Sequence, residues 1–463
     1  MQSSPSVQES DRSWFDNAKF GIFVHWTAAA IPAYAPLTKI DLGESDMTAE
    51  SFMHNLPYAE LYQNTMHIDG SPTARYHAEK FGTKPFDDFV HEFRERIWHW
   101  DPHTWAQLFA ASGAKYVVLV AKHLDGFLLW PSDTPNPHKS SWQSERDVVG
   151  ELAEAVRATG LKFGIYYSGG VDFTWSRLPL ATTADIATAT PDSAEYAEYV
   201  DAHWRELVTR YRPSILWNDM GYPAKADADS LVAWYRQQVP DGVVNDRFAP
   251  LGSKDSTVKN FVTLEYQRNY ERDAPADAKW ESCRGIGTSF GYNRMETDET
   301  YSRSKDLVVE LTEIVARGGN LLLNIGPTAT GAVPWAQAQR LLDIGWWLRE
   351  AGEAVYGSRP WTTATGATAD GASVFYTQSE TALYALVAGV PDSSTVTLGL
   401  DLDPDVNVNL LGDPVSLSWQ TSNDGVEIQL PGKLDAERPV VVLRLAPSSG
   451  VRARPTEGAP SRS

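Results

Sequence analysis

Cysteine is all but missing. One residue, Cys283, stands among 463, so no intramolecular disulfide can form. No Cys or His partner lies at zinc-site spacing from it, and it reads as a packing residue. No run of 18 apolar residues occurs, which excludes an ordinary membrane-spanning helix. The opening MQSSPSVQESDRSW is polar and lacks the apolar centre of a secretory signal, so a soluble, cytoplasmic protein is expected. Positive charge is scarce: 40 Lys and Arg stand against 60 Asp and Glu, a formal net charge of -20. Tracking phosphates requires clustered cations, and an anionic lipid surface repels such a chain. Neither nucleic acid nor membrane is expected as a partner. Gly-rich fragments at 168–172 and 317–320 lack phosphate-loop spacing, and neither a Gly-x-Ser-x-Gly elbow nor a His-Glu-x-x-His helix is present. Nothing calls for a metal or a cofactor.

What remains is ample material for a core, 42% hydrophobic and 22% charged, in a length that suits two domains. Up to about residue 357, short apolar runs alternate with amphipathic helical stretches. The runs are FGIFVHW (20–26), YVVLVAKH (116–123), FGIYYS (163–168), SILWND (214–219), GVVNDR (242–247), FVTLEY (261–266), TSFGYN (288–293) and NLLLNIG (320–326). Their near-continuous apolar character suits strands covered on both faces. Helical stretches lie at 103–114, 147–160, 193–211, 306–318 and 336–352, the third expected to start on Asp192 with Glu195 three residues on. Eight such strands alternating with helices predict a (β/α)8 barrel. The barrel is expected to be distorted, because 27–102 is a long insertion and 248–260 and 267–287 are loop-like. From 358 to 447, short β-branched segments separated by turn residues predict an antiparallel β-sandwich. Residues 1–12 and 448–463 read as loose ends, the latter a flexible tail.

Barrel chemistry collects at the C-terminal strand ends. The last polar residues of the eight runs are His25, His123, Tyr167, Asp219, Arg247, Glu265, Asn293 and Asn324, with Trp26 and Trp217 beside or within the set. Two carboxylates among imidazoles and aromatic rings suit glycoside hydrolysis, in which one attacks or activates water and the other protonates the leaving oxygen. Indole faces stack on sugar rings, and His, Arg and Tyr bond hydroxyls. Taken singly, a strand-end Asp is more often a loop or helix cap than a nucleophile. Asn293 and Asn324 read as turn-closing residues, Asp125 as a loop brace, and Trp98, Trp100 and Trp105 as core.

Several stretches together are more specific: WFDNAKFGIFVHW (14–26), GAKYVVLVAKHLDGF (113–127), RDVVGELAEAVRATGLKFGIYYSGG (146–170), LWNDMGYP (216–223), NDRF (245–248), KWESCRGIGTSFGYNR (279–294) and GGNLLLNIGP (318–327). This set resembles glycoside hydrolase family 29, the α-L-fucosidases. The resemblance implies exo-acting hydrolysis of terminal α-L-fucosyl residues with retention of configuration. It implies an Asp nucleophile in Trp-Asn-Asp, here Asp219, and an acid/base Glu in Thr-x-Glu-Tyr, here Glu265. It also implies sugar contacts from His25, Glu60, His123, Tyr167, Trp217 and Arg247. Members of the family often self-associate, but no diagnostic stripe is visible, and a homo-oligomer stays an open expectation.

The chain departs from the family at Leu124, where Lys122-His123-Leu124-Asp125-Gly126 replaces the usual Lys-His-His-Asp-Gly. The second His normally touches the sugar. A buried hydroxyl that lost this partner would cost about 1–3 kcal/mol. Leu61 also replaces a frequent aromatic, and His-Trp-Thr replaces His-Trp-Gly. Two alternatives follow: a hydrolase or transglycosidase for a modified fucose or an α-L-galactoside, and a sugar-binding protein on an inactive scaffold.

Overall fold

A computed structural model describes residues 12–38, 48–253, 256–266, 269–270, 275, 278–391, 393–413, 415–432 and 434–454. The expected loose ends at 1–11 and 455–463 lie outside the described residues. The chain divides into two compact units, one holding residues up to 302 with 322–342, the other 303–321 and 343 onward.

The first unit is built on eight strands: β1 Phe20–Val24, β2 Tyr116–Lys122, β3 Lys162–Ser168, β4 Ile215–Asp219, β5 Val243–Val244, β6 Val262–Glu265, β7 Trp280–Gly285 and β8 Asn320–Ile325. They form one sheet in the order β5-β4-β3-β2-β1-β8-β7-β6. Strand β5 is two residues long, and one parallel bridge, Asn245 to Phe261, spans the seam between β5 and β6. The architecture is therefore the distorted (β/α)8 barrel expected from the sequence. Helices Pro102–Ala111, Val148–Ala158, Ala194–Tyr211 and Ala228–Gln238 fill the connections between β1 and β5. Each starts on a side-chain cap, Asp101, Asp147, Ser193 and Asp227, whose oxygen takes an otherwise unpaired backbone N–H. The third cap is Ser193, one residue beyond the expected Asp192.

The seventh strand differs from expectation. It is Trp280–Gly285, while 288–293 is irregular. Charged Glu281 and Arg284 interrupt WESCRG and hide a buried strand from a pattern search based on apolar runs. Glu281 nevertheless points into the barrel, where its charge is matched by two hydrogen bonds.

Alternation with a period of two fills the barrel interior. Phe23, Tyr116, Val118, Val120, Tyr166, Ile215, Trp217, Val243, Phe261, Cys283 and Leu322 pack there as one cluster. Gly21 is required on β1, because a Cβ there would lie 2.3 Å from the ring of Tyr116. On β2 the register slips between Val120 and Lys122. Such a bulge re-aims the residues that follow it. Lys122 turns outward, 4.3 Å from the Tyr167 ring and 3.0 Å from Asp172, both ends of the ion pair fully buried. His123 turns inward.

The second unit holds the sandwich. Six strands run in the order β15 (Ser416–Leu417), β14 (Asn407–Leu410), β18 (Val440–Ala446), β11 (Leu383–Ala388), β10 (Ser373–Gln378) and β9 (Arg359–Ala367), and three more in the order β12 (Thr395–Leu398), β17 (Gly425–Gln429) and β16 (Trp419–Ser422). In the larger sheet β10, β11 and β18 pair antiparallel. Their alternate residues Val374, Tyr376, Ala385, Val387, Val441 and Leu443 share one buried face. Val451–Ala453, expected in the loose tail, is a short strand paired with Leu400–Leu402. Among the described residues no helix is long and apolar enough to cross a membrane.

The Lys122–Asp172 pair generates a test. Lys122→Met leaves a buried, uncompensated carboxylate beside the bulge, a loss of about 3–5 kcal/mol. The denaturant midpoint of the first unit should fall accordingly; an unchanged midpoint contradicts the role given to this pair.

Candidate active site

Strand parity decides what reaches the mouth of the barrel. On β4, Trp217 and Asp219 face inward with Ile215, while Asn218 faces out and ties Gly221 and Arg247 backbone carbonyls. On β3 the registered partner of Trp217 is Tyr166. Tyr166, not Tyr167, therefore lines the pocket, and its hydroxyl donates to Asp219 at 2.6 Å. Tyr167 faces the outer helices, with its hydroxyl 2.9 Å from Nδ1 of buried His203. The expected residue thus lies outside the pocket and its neighbour lines it, because adjacent residues on a strand point to opposite faces.

The pocket collects Phe23, His25, Tyr58, Glu60, Leu61, His123, Leu124, Tyr166, Trp217, Asp219, Met220, Arg247, Glu265, Cys283 and Phe290. Every expected site residue except Tyr167 is among them. Trp26 is not: its ring packs 5.2 Å from Phe93 and Trp105, and its N–H donates to the Thr328 carbonyl. Trp100 and Trp105 are buried core residues as expected, whereas Trp98 is 60% exposed.

Arg247 organises the centre. One terminal nitrogen donates to Asp219, the other to Glu265 at 3.1 Å, and the guanidinium lies 4.9 Å over the Trp217 ring. The two carboxylates respond in opposite directions. Burial pushes Asp219 up, but the Arg247 charge and the donors Tyr166 and Arg247 outweigh it and hold the carboxyl below its usual range. Burial also pushes Glu265 up; Arg247 opposes this, the Asp219 charge reinforces it, and the net shift is upward. Glu265 keeps a side chain 31% exposed, open to the pocket mouth.

The imidazoles are held neutral. Burial lowers His25 to about 4 and His123 to about 3. Asn324 sets the tautomer of His25: its amide nitrogen donates to the Phe290 carbonyl, so its oxygen accepts from His25 Nδ1 at 2.6 Å. Nε2 of His25 is left as an acceptor for a hydroxyl. Asn324, read from the sequence as a turn-closing residue, is thus a support for His25. Asn293 does close a turn, its Oδ1 accepting from the Met295 N–H at 3.1 Å, and it also exchanges hydrogen bonds with the backbone of Ala35. Asp125 braces its loop through the Phe127 N–H.

Glu60 reaches the pocket from the long insertion. Its carboxylate accepts from the Gly291 N–H at 2.7 Å and Ser289 Oγ at 3.2 Å, and burial raises it to about 7 against these bonds. Gly291 allows the approach, since a Cβ there would stand 3.1 Å from the Glu60 carboxylate. Among the described residues no group of three or more His, Cys, Asp or Glu is placed to hold a metal ion.

A pair of carboxylates with split proton affinities, walled by neutral imidazoles and aromatic rings, is equipped to cleave a glycosidic bond. The α-L-fucosidase family model matches residues 2–353, and that of the α-L-fucosidase C-terminal domain matches 369–446. The chain belongs to the α-L-fucosidase family. It is accordingly a glycoside hydrolase. An α-L-fucosidase of Dictyostelium discoideum is 31% identical over 93% of this chain and 88% of its own length. The human tissue α-L-fucosidase is 30% identical over 90% of this chain and 85% of its own. The crystal structure of Thermotoga maritima α-fucosidase with a mechanism-based inhibitor superposes with a TM-score of 0.83 at 36% identity, covering 95% and 98% of the two chains.

The His25–Asn324 bond carries a prediction. Asn324→Leu frees His25 to rotate and change tautomer, and a lost hydrogen bond of about 1–2 kcal/mol corresponds to roughly 5- to 30-fold in kcat/KM. Steady-state kinetics on an aryl α-L-fucoside measure it, and unchanged kinetics would remove Asn324 from the site.

Proposed function

We propose that this pocket hydrolyses terminal α-L-fucosides with retention, Asp219 serving as nucleophile and Glu265 as acid/base. The single observation that carries the assignment is the Arg247 fork. It holds one carboxylate oxygen of each residue on adjacent nitrogens of one planar group, which places them a few ångströms apart. A retaining pair needs about 5–5.5 Å, whereas an inverting pair must leave room for a water at roughly 6.5–9.5 Å. The split proton affinities assign the roles. Asp219, held ionised, attacks the anomeric carbon as Glu265, which retains its proton to higher pH, gives that proton to the departing oxygen. Glu265 then takes a proton from the water that cleaves the glycosyl-enzyme. His25 Nε2, His123 and Glu60 supply polar contacts to the ring hydroxyls, and Trp217 and Tyr166 form an aromatic wall. Residues 1–357 carry the chemistry in this reading, followed by the sandwich at 358–447. A binding protein on an inactive scaffold would lack one of the two carboxylates; both are in place here.

The decisive assay is aryl release from an aryl α-L-fucoside with Asp219→Ala as blank. The variant should have no turnover above background; near-normal rates would sink the nucleophile assignment. The pH profile of kcat/KM adds the sign. Activity should fall on the acid side only below the ordinary Asp range, as Asp219 gains a proton, and on the alkaline side above the ordinary Glu range, as Glu265 loses one. Glu265→Gln should abolish the alkaline limb, and a limb that survives would assign the acid elsewhere.

One observation favours a second reading of the sugar. Leu124 is 4% exposed and packs with Val171 and Phe173, and beside them Leu61, Tyr58 and Met220 complete an apolar wall. A methylated fucose would place its extra carbon there at no hydrogen-bonding cost. Leu124→His should raise kcat/KM for an unmodified fucoside over its O-methyl analogue by roughly 10-fold, the value of one hydrogen bond. A ratio that does not move would show that this wall plays no part in the choice of sugar.

A further inference from the structure

Buried beneath the pocket lies a carboxylate that the reaction does not use. Glu281 on β7 is fully inaccessible, at 0% exposure. Its two oxygens are divided between two aromatic donors: Tyr116 Oη at 2.5 Å and Trp217 Nε1 at 3.0 Å. An acidic group at this depth is costly unless each oxygen is matched. Burial drives it up to about 7, against the bonds from Tyr116 and Trp217. A purely packing position on a strand would be filled at lower cost by Leu or Met. The chain instead holds a carboxylate, and shapes the floor around it by leaving Gly21 without the Cβ that would strike the Tyr116 ring.

Trp217 connects this floor to the chemistry. Its ring stacks on Tyr166 at 5.3 Å and 25°, touches Phe23 at 5.1 Å, and carries the Arg247 guanidinium at 4.9 Å on its face. Tyr166 and Arg247 are the two side-chain donors to Asp219, and Arg247 also reaches Glu265. Ring packing fixes the plane in which the indole can slide or flip; the bond from Nε1 to Glu281 fixes its orientation within that plane.

We infer that Glu281 is a positioning residue for the hydrolysis: it orients the Trp217 indole and thereby sets how Tyr166 and Arg247 meet the two reacting carboxylates. This rests on the fucosidase reading above. Glu281 touches neither substrate nor reacting atoms, so its removal should act on kcat more than on KM.

A double-mutant cycle on an aryl α-L-fucoside tests it. Glu281→Leu should lower kcat by roughly 10- to 100-fold, the scale on which a misplaced catalytic group costs rate. Glu281→Gln, which still offers an oxygen to Trp217 and an amide to Tyr116, should recover most of the loss. Trp217→Phe removes the indole N–H, and in that background Glu281→Leu should add less than about threefold, because coupled residues are not additive. Losses that multiply in the double variant, or a Gln variant as impaired as Leu, overturn the inference. If Glu281→Leu does not fold, Trp217→Phe alone decides, since an unchanged kcat overturns it. A wild-type protein that releases no aryl group would overturn the fucosidase reading instead, and this inference with it.

Discussion

One cation between two carboxylates is the constraint on which the site depends. Arg247 cannot lose its proton at any working pH. Placed against Asp219 and Glu265 at once, it stabilises both charges but not equally. Asp219 also receives Tyr166 and is the more deeply enclosed, while Glu265 opens toward the mouth and feels the charge of Asp219. The asymmetry lies in the side chains around the pair. It follows from which carboxylate collects more donors, and in the proposed mechanism it separates the group that attacks from the group that gives a proton.

Around that centre the barrel supplies rigidity in layers. A glycine on β1 admits the Tyr116 ring, Tyr116 and Glu281 hold the indole of Trp217, and Trp217 carries Tyr166 and Arg247. On the other side a bulge in β2 turns His123 inward and sends Lys122 out to Asp172. Asn324 fixes which nitrogen of His25 is left to accept a hydrogen bond. Each of these supports is buried polar chemistry, where a satisfied group confers a unique geometry and an unsatisfied one is expensive. The apolar wall of Leu61, Leu124 and Met220 stands in contrast. It makes no polar demand on whatever it faces.

Much of this was legible in the sequence, and the failures have physical causes. Apolar runs located seven of the eight barrel strands, and the strand-end rule found Asp219, Glu265, His25, His123 and Arg247. The rule of taking the last polar residue failed at β3, where two tyrosines adjoin and only parity tells them apart. Counting by twos from Gly164, in register with Ile215 on the neighbouring strand, selects Tyr166. It failed again at β7, where an inward glutamate and an arginine broke the apolar run. The strand-end rule also picked out Asn324, but not its role, which lies in a contact with His25 across 299 positions. Trp26, two residues past the end of β1, packs against Phe93 and Trp105 rather than lining the pocket. Glu60 came from family resemblance alone, for nothing in the pattern of the long insertion aims it at the barrel mouth.

The central claim is double displacement at two carboxylates bridged by one arginine, and stereochemistry tests it most directly. Proton NMR can follow the anomeric signal of the sugar released from an aryl α-L-fucoside in the first minutes, before mutarotation. Two inversions predict that the α-anomer appears first and the β-anomer grows in later. A β-anomer formed first would mean a single inversion through an activated water, and would contradict the geometry that Arg247 imposes on Asp219 and Glu265.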